Sequence, residues 1–384
     1  MLYTIIGLWK VRLVSSLIAT YLLSKGLTPY DVMLGASVLN ITLCIVEVPL
    51  GIFLDKTGTK TCLILSNILY VAEVIMLLYI ESALGVVLLY FIWALERSLT
   101  KKCDIAVIGN KLEYENRSRE FSKIYGNLVS ISSGVMILMG VVCGLFYNNF
   151  LNYIITAIVL LKAIAVALIL MYYKENRGEQ IKAKSFGGHF VSGIKTVKDN
   201  KITVMFILLA TITLIRVIMV DVEIIQMNEL GKSALILSIV TIVGEITKVL
   251  VGKLSHRVIS WAGKSTILIL VGILGIMALL SLPNRIYMVA VGYYIAHVFD
   301  ALKSVVYANE INRNTTISNR GTVTSFLFLV EGILISVVMV IVGKLHGVCG
   351  TVSLFKMILM FISIVLVPVT VKYIRANQEK VRMS

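Results

Sequence analysis

About twelve apolar runs, each near twenty residues long, constrain this chain more than any other feature. The runs are continuous rather than alternating, so they suit α-helices and not the strands of an outer-membrane barrel. At about 1.5 Å of rise per residue, twenty residues cross the hydrocarbon core of a bilayer. Lipid offers backbone amides no partners, and a helix satisfies them internally. Composition closes the point. With 58% hydrophobic and only 15% charged residues, 384 residues cannot cover a soluble surface. The chain is expected to be an all-α polytopic membrane protein.

The spans are placed near 2–24, 31–54, 61–80, 84–105, 121–146 and 150–172, then near 203–225, 233–253, 265–282, 286–306, 322–342 and 351–371. Residue 1 stands almost at the first span, which is therefore expected to act as its own insertion signal. Lysine and arginine set the orientation. Loops on one side carry Lys56, Lys60, Lys111, Arg117, Arg119 and Lys123, the cluster between Lys174 and Lys201, then Lys253, Arg257, Lys264, Arg313 and Arg320. Opposite loops hold little beyond Lys25, Lys232, Arg285 and Lys344. Both termini are thus expected in the cytoplasm, and the net charge of +15 reads as topology and contact with anionic lipid rather than a nucleic-acid surface.

The longest polar stretch divides the chain into an N-terminal six-helix bundle (1–173), a cytoplasmic linker (174–202) and a C-terminal six-helix bundle with a short cytoplasmic tail (203–384). In the linker, Phe186, Phe190, Ile194 and Val197 recur at helical spacing opposite lysines, which predicts an amphipathic helix on the inner face. The five cysteines are scattered without CxxC spacing, so neither a disulfide framework nor a metal site is expected. There is no Walker loop, no HExxH and no nucleophile elbow. ATP drive, a cofactor and enzymatic activity are not expected.

Between spans two and three the sequence runs Glu47-Val48-Pro49-Leu50-Gly51-Ile52-Phe53-Leu54-Asp55-Lys56-Thr57-Gly58-Thr59-Lys60. Glu47, Gly51 and Asp55 are four apart and share a helix face, while Gly58 permits a tight reversal. Gly51, Asp55, Lys56, Gly58 and Lys60 fill every specified position of G-x-x-x-D-[RK]-x-G-x-[RK]. The stretch resembles the signature loop of the major facilitator superfamily, and Glu47-x-Pro49-x-Gly51 resembles a bacterial subgroup rich in exporters. A degenerate second copy, Leu250 to Arg257 followed by Gly263-Lys264, holds the matching place in the second half. Ile311-Asn312-Arg313 to Arg320-Gly321-Thr322 and Ser325 are similar to the loop between spans ten and eleven. The chain departs from the subgroup at Thr100 to Lys111, where only Asp104 stands for the expected acids.

The resemblance implies twelve transmembrane helices in two pseudo-symmetric six-helix bundles, with a substrate site between them and a monomer as the default. It also implies that Asp55, Lys56 and Lys60 form a cytoplasmic latch, with Glu47 either in that closure network or structural. The superfamily lines its cavity with spans one, four, seven and ten. Here those spans carry Lys10 and Arg12, Glu96 and Arg97, Arg216 with Asp221 and Glu223, and His297 with Asp300.

A charge at mid-bilayer costs at least about 2.5–3.5 kcal/mol, so each needs a partner or a wet cavity. Either the cavity is functional or these residues are structural ion pairs. Arg97, Lys101 and Asp104 fall on one helix face, and so do Arg216 and Glu223. Glu245 and Lys248 are expected to satisfy each other. Glu73 and Lys162, at similar depth on spans three and six, are expected to pair away from substrate. Glu96 and Glu331 read as isolated carboxylates at depth, and Asp300 lies beside His297. Proton coupling is expected through Glu96, Asp300 or Glu331, with Lys10, Arg12, Arg97 and Arg216 facing anionic or polar substrate groups. The chain therefore reads as a proton-coupled exporter of a small amphiphilic or anionic compound. The opposing reading is a transport-inactive receptor, immunity or interaction protein of the same fold.

Overall fold

The computed structural model describes residues 7–13, 15–114, 121–173, 200–231, 233–262, 266–314 and 320–382. Within some of its helices the surroundings of individual residues are not described, those of Gly51, Asp55, Lys56, Asp104 and Lys248 among them. Two compact units make up the chain, Met1–Lys184 and Ser185–Ser384. The expected amphipathic linker helix falls largely outside the described residues. So does the loop at 315–319, and the side chains flanking it are not described.

The first unit contains α1 (Ser15–Ser24), α2 (Pro29–Thr57), α3 (Thr59–Tyr79), α4 (Ala83–Tyr114) and α5 (Phe121–Tyr172). The second contains α6 (Asn200–Glu229), α7 (Ser233–Ala262), α8 (Thr266–Ser281), α9 (Ile286–Asn314), α10 (Arg320–Phe361), a π-helical turn (Ile362–Leu366) and α11 (Val367–Arg382). Among the described residues every regular element is helical. Five described stretches are long and apolar enough to cross a membrane. The other expected spans fall short of that standard partly because their interiors carry charge, as α6 does with Arg216, Asp221 and Glu223.

Local chemistry explains several boundaries. Thr28 caps α2 by accepting from the Asp31 N–H, while the Asp31 carboxylate accepts from the Thr28 N–H, and Pro29 supplies a fixed φ in the first turn. Gly58 ends α2 and starts α3 at a φ of 88°, a conformation that favours glycine, and its N–H donates to the Leu54 carbonyl at 2.8 Å. The predicted tight reversal is therefore present. Spans five and six, expected as separate helices, share helical backbone throughout α5. Spans eleven and twelve meet within α10 at Gly350, where φ is 74°. The last helix continues beyond the expected span end to Arg382.

One expectation fails. Span one is not a single helix over 2–24. Residues 7–9 are helical, Lys10 turns, 11–13 have no regular structure, and α1 resumes at Ser15. An open backbone at this depth needs partners from elsewhere in the protein.

In the first unit α4 packs on α2 and α3, and α3 on α5. In the second α9 packs on α7 and α8, and α6 on α10. Two glycines allow equivalent close approaches. A Cβ at Gly35 would lie 2.5 Å from the Tyr90 ring, and one at Gly244 would lie 2.4 Å from the His297 ring. Beneath the broken span, Trp9, Cys62, Leu63, Leu99, Cys103 and Ile169 form a buried cluster. Large apolar side chains such as Ile45, Leu88, Leu145 and Ile364 stay exposed, as lipid-facing positions do.

Candidate functional site

In each unit an arginine of the first span meets an acid of the fourth. In the first unit, breaking the helix decides which ionisable residues come together. Lys10 and Arg12 are two residues apart, and on a continuous helix they would point to different faces. With the backbone open at 10–13, both line one cavity.

The freed backbone groups are met by side chains from two other helices. Tyr70 of α3 accepts the Leu13 N–H through its hydroxyl at 2.7 Å. Lys162 of α5, buried, donates its ammonium to the Trp9 carbonyl. The ammonium also sits 4.7 Å from the Tyr70 ring centroid, and the Arg12 guanidinium stacks on that ring at 5.2 Å. Tyr70 is thus the post around which the break is built. Neither its role nor that of the Trp9 carbonyl was anticipated from sequence.

Arg12 donates to Glu96 of α4 at 2.5 Å, and Glu96 also accepts from Thr100 at 2.6 Å. Glu96 is therefore not the isolated carboxylate that its position in the sequence suggested. Both its oxygens are engaged, as a carboxylate only 3% exposed requires. The expected Glu73–Lys162 ion pair is also absent, because Lys162 is directed to the Trp9 carbonyl. Their charges remain within reach of one another. Glu73 instead lines a cavity of about 270 Å³ together with Lys10, Arg12, Tyr70, Arg97 and Ser132. Span three, expected at the periphery, thus contributes to the cavity wall.

In the second unit Arg216 of α6 is paired with Asp300 of α9. Glu223, expected on the same helix face as Arg216, is not its ion-pair partner. Glu223, fully buried, accepts from the Ser281 hydroxyl at 3.0 Å and lies against Gly292, where a Cβ would come within 2.6 Å of its Oε1. Asp221 is half-buried and feels the Arg216 charge. His297 meets the Tyr293 ring edge-on at 5.4 Å. Glu331 of α10 is buried, 3.4 Å from the Thr213 hydroxyl, with the Lys303 charge nearby.

At the signature loop, Glu47 is half-buried and Lys60 donates to the Leu170 carbonyl at 2.9 Å. Asp55, Lys56 and Gly51 lie on helical backbone of α2, with side chains outside the described set. The expected Glu245–Lys248 pair and the face shared by Arg97, Lys101 and Asp104 also involve side chains outside it.

A further cluster lies beyond the end of the seventh span. Glu229 accepts from Thr351 at 2.8 Å and lies 3.3 Å from His346. The His346 hydrogen bond, aided by that of Thr351 and opposed by partial burial, holds this carboxyl below the usual range.

The two arginine–acid pairs are related. Each joins residues 84 apart, so one shift along the sequence carries Arg12 onto Arg216 and Glu96 onto Asp300. The same shift carries the start of α2 at Pro29 onto the start of α7 at Ser233.

Comparison with known proteins agrees with this repeated architecture. The chain is similar in structure to the nucleoside transporter NupG, with a TM-score of 0.72, 13% identity, and 97% of this chain and 96% of that one covered. It is also similar to a POT family transporter in complex with 5-aminolevulinic acid, with a TM-score of 0.71, 12% identity, and 98% and 95% covered. A POT family transporter in complex with a thioalcohol conjugated peptide gives a TM-score of 0.70 at 13% identity, with 98% and 95% covered. By sequence, no curated protein matches. A family model described as Major Facilitator Superfamily matches residues 1–339. With most of its length matched and transporters as its structural neighbours, the chain belongs to the major facilitator superfamily and is a multi-pass membrane transporter rather than an enzyme.

Proposed function

We propose that this protein is a proton-coupled secondary transporter that exports a small amphiphilic or anionic compound by alternating access. In this reading it lies in the cell membrane with both termini in the cytoplasm. The observation that carries the reading is the repeated ion pair. Arg12 with Glu96 and Arg216 with Asp300 place one arginine and one acid at equivalent points of the two units. An opposite charge favours the ionised carboxylate, so in this reading the pair opens only when a proton reaches the acid and an anion competes for the arginine. When Glu96 or Asp300 takes a proton, its arginine is released to hold an anionic group. When the anion leaves, the arginine recovers its carboxylate and the proton departs. Lys10 and Arg97 on the cavity wall favour a cargo with negative charge. At 12–13% identity, the nucleoside and peptide transporters among the structural neighbours support the fold and leave the cargo to these side chains.

Export rather than import follows the subgroup resemblance of Glu47-x-Pro49-x-Gly51. Asp55, Lys56 and Lys60 serve as the cytoplasmic latch, so removing Asp55 shifts the balance of states without abolishing substrate affinity. The test is flux of candidate compounds in proteoliposomes under an imposed pH gradient. Flux should rise with the gradient, and Glu96→Gln with Asp300→Asn should remove that dependence. Flux indifferent to the gradient would end the coupling proposal. No flux under any gradient would favour the transport-inactive alternative.

A further inference from the structure

The cavity at the break of the first span has a feature the proton switch does not use. Glu73 is 2% exposed and lines the cavity, and its Oε2 has no hydrogen-bond partner. The Ser132 hydroxyl on the same wall also lacks one. A buried acceptor left unmade is costly, and such groups are rare unless something else meets them. Around Glu73 the wall carries Lys10, Arg12 and Arg97, with Arg12 matched by Glu96 behind it. The wall carries three cations to one carboxyl, so its balance is positive.

Comparison within the chain shows that a unit with a continuous first helix does without most of this set; of the polar wall beside Arg12, only the serine recurs, as Ser336. The shift that carries Arg12 onto Arg216 places Leu214, Leu274, Met277 and Ala301 where the first unit has Lys10, Tyr70, Glu73 and Arg97. Leu274, Met277 and Ala301 are buried as ordinary core. The same architecture therefore packs these positions with apolar side chains when no polar task is set.

We propose that this cavity is a binding subsite within the first unit for a small ligand carrying both an acidic group and a hydrogen-bond donor, an amino-carboxylate being the simplest such ligand. Glu73 accepts from the ligand's ammonium or N–H, Ser132 completes that end, and Lys10 and Arg97 hold the acid. At about 270 Å³ the cavity lies near the small end of ligand pockets, which excludes large amphiphiles. Leu13, Ile18, Tyr70, Trp93 and Met136 supply the rest of its lining. The inference deepens the transport reading by naming the cargo's chemistry, and it is tested by binding, so a failure of coupling would leave it standing.

The experiment uses purified full-length protein and three probes of one length: 4-aminobutyrate, butyrate and butylamine. Binding is followed by titration calorimetry and by thermal shift, with no gradient present. The amino-carboxylate should bind at least about tenfold more tightly than either single-group probe, the size of one charge-assisted hydrogen bond. Glu73→Gln should lose that advantage, so that butyrate binds at least as tightly as 4-aminobutyrate. Glu73→Met copies the second unit's residue and guards against misfolding, since it should keep or raise Tm while abolishing the preference. Equal affinity for 4-aminobutyrate and butyrate would overturn the proposal. So would no binding of any probe at millimolar concentration. A preference that survives both substitutions would reduce Glu73 to a neutral wall residue.

Discussion

The first span of the N-terminal unit opens at residues 10–13, while α6, its counterpart in the C-terminal unit, is helical from Asn200 to Glu229. Both carry an arginine that pairs with an acid on the fourth helix of the unit. The ion pair therefore does not cause the break. What differs is the supply of partners for open backbone. The first unit places Tyr70 and Lys162 where the second has Leu274 and Leu366, which can donate and accept nothing. An unwound segment survives in lipid only where side chains replace the lost helical hydrogen bonds. One repeat unit has those side chains and an open segment, and the other has leucines there and a continuous helix.

The largest effect is expected from removing the acid of each pair, and the two units should respond unequally. Glu96 is 3% exposed, and Asp300 is 31% exposed. Breaking a buried pair by deleting one partner costs about 3–5 kcal/mol, because the other charge is left uncompensated. Glu96→Ala should approach that loss, seen as a collapse in yield and Tm in detergent, and Asp300→Ala should lose less: the arginines left behind are similarly exposed, at 25% and 21%, but removing the buried Glu96 also leaves a void and strips Thr100 of its acceptor. The reversal Arg12→Glu with Glu96→Arg should recover much of the first loss. If the two alanine variants fell equally, exposure would not be what separates the units.

The next effect concerns the break itself. Lys162→Leu leaves the Trp9 carbonyl without its donor, and Tyr70→Phe leaves the Leu13 N–H without its acceptor. An unsatisfied buried group costs about 1–3 kcal/mol, so each variant should lose stability in that range. The double replacement Lys162→Leu with Tyr70→Leu reproduces the second unit's residues and gives the segment reason to rewind. Its loss should be smaller than the sum of the losses of Lys162→Leu and Tyr70→Leu made singly, as a double-mutant cycle over those two substitutions would measure. Strict additivity would mean that the two side chains do not serve one segment.

Much of the fold could be read from sequence because its determinants are local. Apolar runs give the helices, Gly58 gives the reversal, and Thr28-Pro29 with Asp31 gives the start of α2. The site was less legible because its partners come from distant helices. Nothing near Arg12 announces Glu96, and nothing near Trp9 announces Lys162. Two signals were nevertheless present. Lys10 and Arg12 stand two apart in one span, a spacing a continuous helix cannot aim at one cavity. Each arginine stands 84 residues before its acid, a repeat that identifies both pairs at once. Glu73 was assigned to Lys162 by matching depth alone, and depth does not give direction around a helix axis.

The smallest effect tests what the units have in common. Gly35 lets α2 approach Tyr90 of α4, and Gly244 lets α7 approach His297 of α9, with a Cβ landing 2.5 Å and 2.4 Å from the two rings. Neither ring is the far end of a flexible chain, so alanine forces a helix shift, at a typical cost of about 1–3 kcal/mol for overpacking. Gly35→Ala and Gly244→Ala should therefore lower Tm by similar amounts, although one unit has an open first span and the other does not. Adding His297→Ala to Gly244→Ala should return part of that loss by making room. Similar losses would place the second-to-fourth helix approach in the shared architecture and confine the asymmetry to the first span and its partners. A tolerated Gly35→Ala beside a damaging Gly244→Ala would mean that the cavity in the first unit also loosens its packing, and the break would then be a property of the whole unit.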